Sequence, residues 1–161
     1  MITHEEALAL FRYDPLTGDL FWNAPRPRIR VGQKAGYLNR KGYVNLEING
    51  KHCAAHRLIW LYVTGSMPTK QIDHINGDKS DNRFQNLRLA DNGQNRANSK
   101  STNKHGLKGL LHRPWLKKNP WQAQIRHNKK QIYLGCFPTK EEAHEAYCKA
   151  AKDLHGEFFH P

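Results

Sequence analysis

The chain has 161 residues, the size of one ordinary domain or two small ones, which excludes a large multidomain enzyme. Hydrophobic residues make up 38% and charged residues 25%, so the composition predicts compact cores rather than a disordered chain. Lysine and arginine number 26 against 14 aspartates and glutamates. The resulting net charge of +12 favours a polyanionic partner, nucleic acid first and an acidic membrane surface second.

A membrane partner and a secretory context are not supported by the sequence. No apolar stretch approaches the roughly 20 residues that cross a bilayer, and the start MITHEEALALFRYD lacks the pattern of a signal peptide. Cys53, Cys136 and Cys148 are widely spaced and form no CxxC pair, so we expect reduced packing residues rather than disulfides or a zinc site. We therefore expect a cytoplasmic protein.

Positive charge is concentrated in two stretches that contain no acidic residue. Residues 92–140 hold eleven lysines and arginines, and residues 20–46 hold six more in a loop with Pro and Gly. A solvated basic face normally includes some acidic residues that limit self-repulsion. Contact with phosphate groups is therefore the favoured interpretation of both stretches.

Short elements are predicted in the first half of the chain, because apolar residues are sparse there and turn formers are frequent. In chain order they are a helix over residues 3–11, a hairpin in YDPLTGDLFW, a strand over residues 43–48, an Asn49-Gly50 turn and a helix over residues 54–63. The sequence thus predicts a loop-rich unit with short strands.

A polar stretch, SKSTNKHG at residues 99–106, predicts a domain boundary. Just before it, Asp91 and Gln94 have the spacing of a capping box that starts a helix. Beyond it, the pattern predicts a sheet backed by one helix. Its strands are expected at residues 107–111, 121–126 and 131–136, and its helix from Thr139 to about Gly156.

The segment IDHINGDKSDNRFQNLRLA, residues 72–90, and the following NGQNRANS carry the candidate chemistry. Asp73 and His74 are adjacent in an extended segment, so their side chains point to opposite sides of the backbone and can serve different roles. If the helix after Asp91 packs across that segment, Asn95 brings a neutral oxygen toward Asp73. Such oxygen ligands suit Mg²⁺, or another divalent cation such as Mn²⁺, better than Zn²⁺.

Together with an upstream HRLIW, these segments resemble the HNH nucleases of the ββα-metal class, particularly phage and intron homing endonucleases, over roughly residues 42–100. The resemblance implies metal-dependent hydrolysis of phosphodiester bonds in double-stranded DNA. It implies that Asp73 binds the metal and that His74 is the general base. It also implies that Asn86 is the central asparagine that holds the loop. Asn95 matches the helical metal ligand, where other members carry histidine, and Asn98 is the alternative.

The segment GLKGLLHRPWLKKNPWQAQIRHNKKQIYLGCFPTKEEAHEAYCKAAKDLHGEF resembles the ethylene-response-factor, or Apetala-type, DNA-binding domain. In that family a three-stranded sheet enters the major groove, where arginine can bond guanine edges and aromatic rings can pack on base methyls. Departures at Leu111, Gln124 and Gln131 leave the target sequence open. The corresponding residues here would be Lys108, Arg113, Trp115, Gln124, Arg126 and Tyr133.

We therefore predict an α+β protein with four segments. They are a β-rich N-terminal segment (1–52), an HNH unit (53–100), a linker (101–106) and an Apetala-type domain (107–161), a small three-stranded sheet packed on one helix. It would act as a monomer or homodimer, with no protein partner implied, in a bacterial or phage-infected host cell. The alternatives are a DNA-binding regulator whose nuclease site has decayed and a hydrolase of RNA. The combined presence of the four motif residues, Asp73, His74, Asn86 and Asn95, argues against decay.

Overall fold

The computed structural model describes residues 2–99 and 106–159, and its internal contacts divide the chain into two compact units, residues 1–90 and 91–161. Small sheets and short helices make it an α+β protein, as predicted. The predicted linker lies outside the described residues except for Gly106. The division at Ala90 groups the helix after Asp91 with the second unit, whereas the predicted HNH unit, residues 53–100, includes it. No described helix is long and apolar enough to cross a membrane.

The first unit consists of short antiparallel strands around a central helix. β1 pairs with β2, β4 lies between β3 and β5, and β6 pairs with β7. The described elements of this unit are α1 (His4–Leu10), β1 (Phe11–Asp14), β2 (Asp19–Trp22), β3 (Tyr37–Leu38), β4 (Val44–Ile48), β5 (Lys51–Ala54), α2 (Ala55–Thr64), β6 (Gln71–His74) and β7 (Leu87–Ala90).

Local sequence signals account for the ends of these elements. Thr3 caps α1 through a capping box with Glu6. Asn49 and Gly50 have φ of 52° and 74°, as a two-residue hairpin turn of the predicted kind requires. The predicted hairpins and helices of this half are therefore confirmed.

One hydrophobic core links the N-terminal hairpin to the hairpin that carries the motif. Leu58 and Ile59 of α2 are fully buried in it, as are Phe11 of β1 and Leu46 of β4, and Ile72 of β6 is buried beside them. Because β6 contributes to this core, the position of the motif hairpin is fixed by α2 and by the N-terminal strands.

The second unit contains a helix, a three-stranded sheet and a longer helix. β9 is the central strand, and Ala143 and Tyr147 of the last helix pack against Ala123 and Ile125 on one face of the sheet. The described elements are α3 (Asn92–Asn98), β8 (Leu110–His112), β9 (Trp121–His127), β10 (Lys130–Phe137) and α4 (Lys140–His155).

Strand β8 begins three residues later than the sequence predicts. Gly109 has φ of 72°, a left-handed conformation that interrupts an extended strand. A Cβ at this position would lie 2.1 Å from the ring of Tyr147, so only glycine fits beneath α4. The close approach of α4 thus sets where β8 starts.

Candidate active site

The β6–β7 hairpin holds the two residues at the centre of the motif. Asp73 pairs directly across the ribbon with Arg88, and His74 pairs with Leu87. Successive residues of a strand point to opposite faces, so Asp73 and His74 serve different sides of the hairpin. Nε of Arg88 donates to Oδ2 of Asp73 at 2.9 Å, and Nη2 forms an ion pair with the same oxygen, also at 2.9 Å. The guanidinium thereby fixes the carboxylate and offsets the cost of burying its charge.

The His74 ring is oriented by the carboxamide of Asn82, a residue that is 2% exposed. The Nδ2 of Asn82 donates to the carbonyl oxygen of Ser80 at 3.2 Å, which turns Oδ1 toward Nε2 of His74, 3.1 Å away. Since a carboxamide oxygen only accepts, Nε2 must carry the proton. Nδ1 is then the unprotonated nitrogen, the atom able to take a proton from water.

Burial keeps this imidazole in its basic, neutral form. Desolvation is the largest influence on His74 and lowers its pKa below the ordinary value of 6.5. The hydrogen bond to Asn82 and the charge of Asp73 oppose this effect and raise the pKa, but the pKa of His74 remains below its ordinary value. At neutral pH the ring is therefore ready to accept a proton.

The rings of His56 and Tyr43 pack beside His74. His56 of α2 contacts it edge to face, with ring centroids 5.2 Å apart, and Tyr43 lies 5.5 Å from His56 and 6.0 Å from His74. Burial and the neighbouring His74 lower the pKa of His56 to about 4, so this ring is also uncharged at neutral pH. Its Nδ1 is buried without a hydrogen-bond partner among the described residues. His56 therefore packs against the candidate base.

Asn86 closes the loop that follows His74. Its Oδ1 accepts the backbone N–H of Asn76 at 3.0 Å, and its Nδ2 donates to Oδ1 of Asn76 at 3.0 Å and to the carbonyl of Asp81 at 2.8 Å. These contacts join both ends of the loop that contains Asn82. These hydrogen bonds hold the loop closed; the site role assigned to Asn86 stays a prediction.

The N-terminal hairpin supports the same loop from outside the motif. The hydroxyl of Tyr13 accepts the N–H of Phe84 at 2.8 Å and donates to the carbonyl of Asn82 at 3.3 Å. Gly18 lies so close that a Cβ there would be 2.4 Å from the backbone nitrogen of Arg83. The first twenty residues thus help to place the carboxamide that orients His74.

Asn95 and Asn98, the predicted helical ligands, lie on α3 in the second unit. The N–H of Asn95 donates to the carbonyl of Asp91 at 3.0 Å, and the side chain of Asn98 is buried. Asp91 and Gln94 cap each other reciprocally, which confirms the predicted helix start. The assignment of either asparagine as a metal ligand stays a prediction.

The donor types on the motif suit a hard divalent cation. Mg²⁺ is usually held by one or two carboxylates, with waters and phosphate oxygens completing its shell. Asp73 is the predicted carboxylate ligand, and Asn95 or Asn98 is the predicted ligand with a neutral oxygen. Within residues 2–99 and 106–159, no group of three or more His, Cys, Asp or Glu side chains is placed to hold a metal ion. A carboxylate combined with a carboxamide oxygen is a donor set that suits Mg²⁺ or Mn²⁺; the identity of the ion and of its ligands stays a prediction.

Three of the predicted DNA-contacting residues share the face of the β8–β10 sheet opposite α4. Ala123 and Ile125 face the core, so Gln124 and Arg126, between and after them, point outward. Tyr133 pairs with Gln124 across the sheet and is 62% exposed. This side of the sheet is therefore polar, aromatic and basic.

Two further predicted residues, Arg113 and Trp115, follow β8. The guanidinium of Arg113 stands 5.3 Å from the ring centroid of Trp115, and its Nε donates to Gln122 at 3.2 Å. Lys108 differs, because it is half-buried and its Nζ donates to the carbonyl of Ala97 on α3 at 2.8 Å. It contacts α3 in addition to any role toward DNA.

Comparison with known proteins shows to which protein family the chain belongs. Residues 53–97 match the HNH endonuclease family, a class of nucleases that act on DNA. The chain is 34% identical over 134 residues to "Uncharacterized HNH endonuclease L560" of Acanthamoeba polyphaga mimivirus, which covers 81% of this chain and 68% of that protein. The chain belongs to the HNH endonuclease family.

A second similarity covers less of the chain. Over 74 residues the chain is 38% identical to "Ethylene-responsive transcription factor ERF117" of Arabidopsis thaliana, a match to 45% of this chain and 21% of that protein. No solved structure matches the chain significantly.

Asn82 was not predicted from the sequence as a candidate site residue. It shares its segment with Asn76 and Asn86, and composition does not distinguish the asparagine that reaches the imidazole from those that close the loop. The distinguishing feature is its burial beside His74, eight residues earlier in the chain.

We predict opposite pH shifts for two substitutions of Asn82. Asn82→Ala removes a hydrogen bond that favours protonated His74, so its pKa falls and the acidic limb of the rate profile moves to lower pH. Asn82→Asp adds a negative charge at Nε2 and moves the limb to higher pH. The loss of ring orientation should also lower the plateau rate of Asn82→Ala by roughly 10–100-fold.

The measurement is the initial rate of plasmid cleavage from pH 5 to pH 9 at fixed metal concentration. Asn23→Ala, at an exposed asparagine of the same unit, serves as the control and should keep the profile of the wild type. An acidic limb at the same pH in both Asn82 variants would contradict the assigned contact.

Proposed function

We propose that this protein is a metal-dependent, homing-type HNH endonuclease that hydrolyses phosphodiester bonds of double-stranded DNA, with its second unit binding the DNA. The observation that carries the proposal is the pair on β6: a histidine whose Nδ1 is the basic nitrogen, and an ion-paired aspartate on the opposite face. The match of residues 53–97 to the HNH endonucleases supports the same conclusion.

In the proposed reaction, Nδ1 of His74 takes a proton from the water that attacks the phosphorus atom. The P–O3′ bond breaks and the departing 3′ oxygen takes a proton from solvent water, which leaves a 5′-phosphate and a 3′-hydroxyl. Asp73, with Asn95 as the predicted second ligand, would hold a Mg²⁺ or Mn²⁺ ion that polarises a nonbridging oxygen and stabilises the departing 3′ oxygen. Asn82 keeps His74 in the tautomer that is protonated at Nε2, and Arg88 keeps the carboxylate of Asp73 in place.

The second unit would hold the duplex through the outer face of its sheet. Arg113 and Arg126 can donate to guanine edges, while Trp115 and Tyr133 offer exposed rings to sugars and base methyls. The similarity of this part of the chain to a plant transcription factor supports this role. Binding by this unit would raise the local concentration of DNA at the nuclease site.

We expect His74→Ala to lose nuclease activity. Removal of a general base usually costs a factor of about 10²–10⁴ in rate. The assay is nicking of supercoiled plasmid with Mg²⁺, and His52→Ala, at an exposed histidine of the same unit, is the matched control. Residual cutting by His74→Ala equal to that of the wild type would refute the proposed base.

The same assay separates the proposed enzyme from the alternatives. A wild-type chain that binds DNA but cuts neither strand with Mg²⁺ or Mn²⁺ would instead be a DNA-binding regulator. Faster cleavage of a matched RNA than of duplex DNA would indicate a hydrolase of RNA.

Arg113→Ala should weaken DNA binding by about 1–3 kcal/mol and relax the sequence preference at one position. The reason is that arginine is suited to bidentate contact with guanine. Fluorescence anisotropy with a labelled cleavage site measures the affinity, and Lys152→Ala, at an exposed lysine of α4, is the control. Unchanged affinity and preference in Arg113→Ala would remove the role assigned to this face.

A further inference from the structure

A basic cleft of about 640 Å³ lies within the second unit, between α3 and strand β9. β8 covers the edge of β9 only as far as Ala123, and the N–H of Gln124 then donates to the carbonyl of Gly109 at 2.8 Å. From there α3 faces the strand edge, and Tyr147 and His155 of α4 line the cleft. The cleft exists because β8 is short.

A hydrogen bond and a tight turn fix the two sides of the cleft. Nζ of Lys108 donates to the carbonyl of Ala97 at 2.8 Å, which joins the start of the sheet segment to α3. On the other side, the tight turn at Asn128 and Lys129, both with positive φ, presents Lys129 at the rim. A hydrogen bond to the backbone on one side and a tight turn on the other therefore hold the residues that line the cleft in place.

The lining of the cleft is strongly positive. Arg96, Lys108, Arg126 and Lys129 line it, and no described aspartate or glutamate does. The sequence explains this charge, since residues 92–140 contain no acid. Burial lowers the pKa of Lys108, because desolvation disfavours its charged form. A bound anion would offset that cost.

The cleft is continuous with the proposed DNA-contacting face. Gln124 and Arg126 line it and also point outward from β9, where Gln131 of β10 donates to Gln124. We propose that the cleft binds consecutive phosphates of one DNA strand, so that α3 and the sheet hold the same duplex. The proposal rests on the proposed function, because it takes this unit to be the DNA-binding part of the enzyme.

The test compares Arg96→Ala/Lys129→Ala with Lys149→Ala in the full chain. Both targeted side chains in the cleft are exposed, so the fold should be retained and can be checked by thermal melting. Lys149 lies in a different depression, beside Glu142 and Glu145 of α4. The measurement is DNA affinity by fluorescence anisotropy at several salt concentrations.

Each phosphate contact contributes about 0.9 to the slope of log affinity against log salt, which is about fivefold in affinity near physiological salt. We therefore expect the double variant to lose about 25-fold in affinity and about 1.8 in slope. Lys149→Ala should change affinity by less than about twofold, because a screened charge outside the contact adds little.

The possible outcomes distinguish DNA binding by the cleft from DNA binding by the outer face of the sheet. Weaker binding by Arg113→Ala together with wild-type affinity and slope in the double variant would overturn the cleft proposal alone. A wild-type chain that does not bind DNA would overturn both proposals. A free mononucleotide that displaces DNA at micromolar concentration would show that the cleft is a nucleotide pocket, and would overturn binding of consecutive phosphates.

Discussion

One carboxamide determines the chemistry of the candidate site. Asn82 donates to the carbonyl of Ser80, so its oxygen must face His74, and the imidazole must keep its proton on Nε2. A histidine without such a partner would exchange between two tautomers and rotate about its side-chain bonds. The contact leaves Nδ1 basic and keeps the ring in one orientation. The assigned role of His74 depends on this arrangement.

The surrounding structure holds that carboxamide in place. Asn86 joins the two ends of the loop, and Tyr13 bonds the loop backbone on both sides of Arg83. Gly18 permits the N-terminal hairpin to approach because it has no Cβ. A buried polar loop is stable only when its groups are paired, and this loop obtains partners from two separate parts of the sequence. The N-terminal segment is therefore part of the site's support.

Local signals made much of the fold predictable. The capping residues Thr3 and Asp91 and the Asn49-Gly50 turn act over three or four residues, so they can be recognised without tertiary contacts. The start of β8 was not predictable, because the ring of Tyr147, 38 positions along the chain, determines it. For the same reason the sequence placed Asp73, His74 and Asn86 in one motif but did not reveal that Asn82 orients the histidine.

The protonation state of His74 tests this account most directly. Long-range ¹H–¹⁵N correlation spectra of the ¹⁵N-histidine-labelled full chain at pH 7.5 report the tautomer of each ring, and His74→Ala identifies the signals of His74. We expect Nε2 of His74 to be protonated and Nδ1 unprotonated, and we expect this preference to weaken in Asn82→Ala. A ring protonated at Nδ1 and bare at Nε2, or one doubly protonated at this pH, would contradict the assignment of His74 as the base.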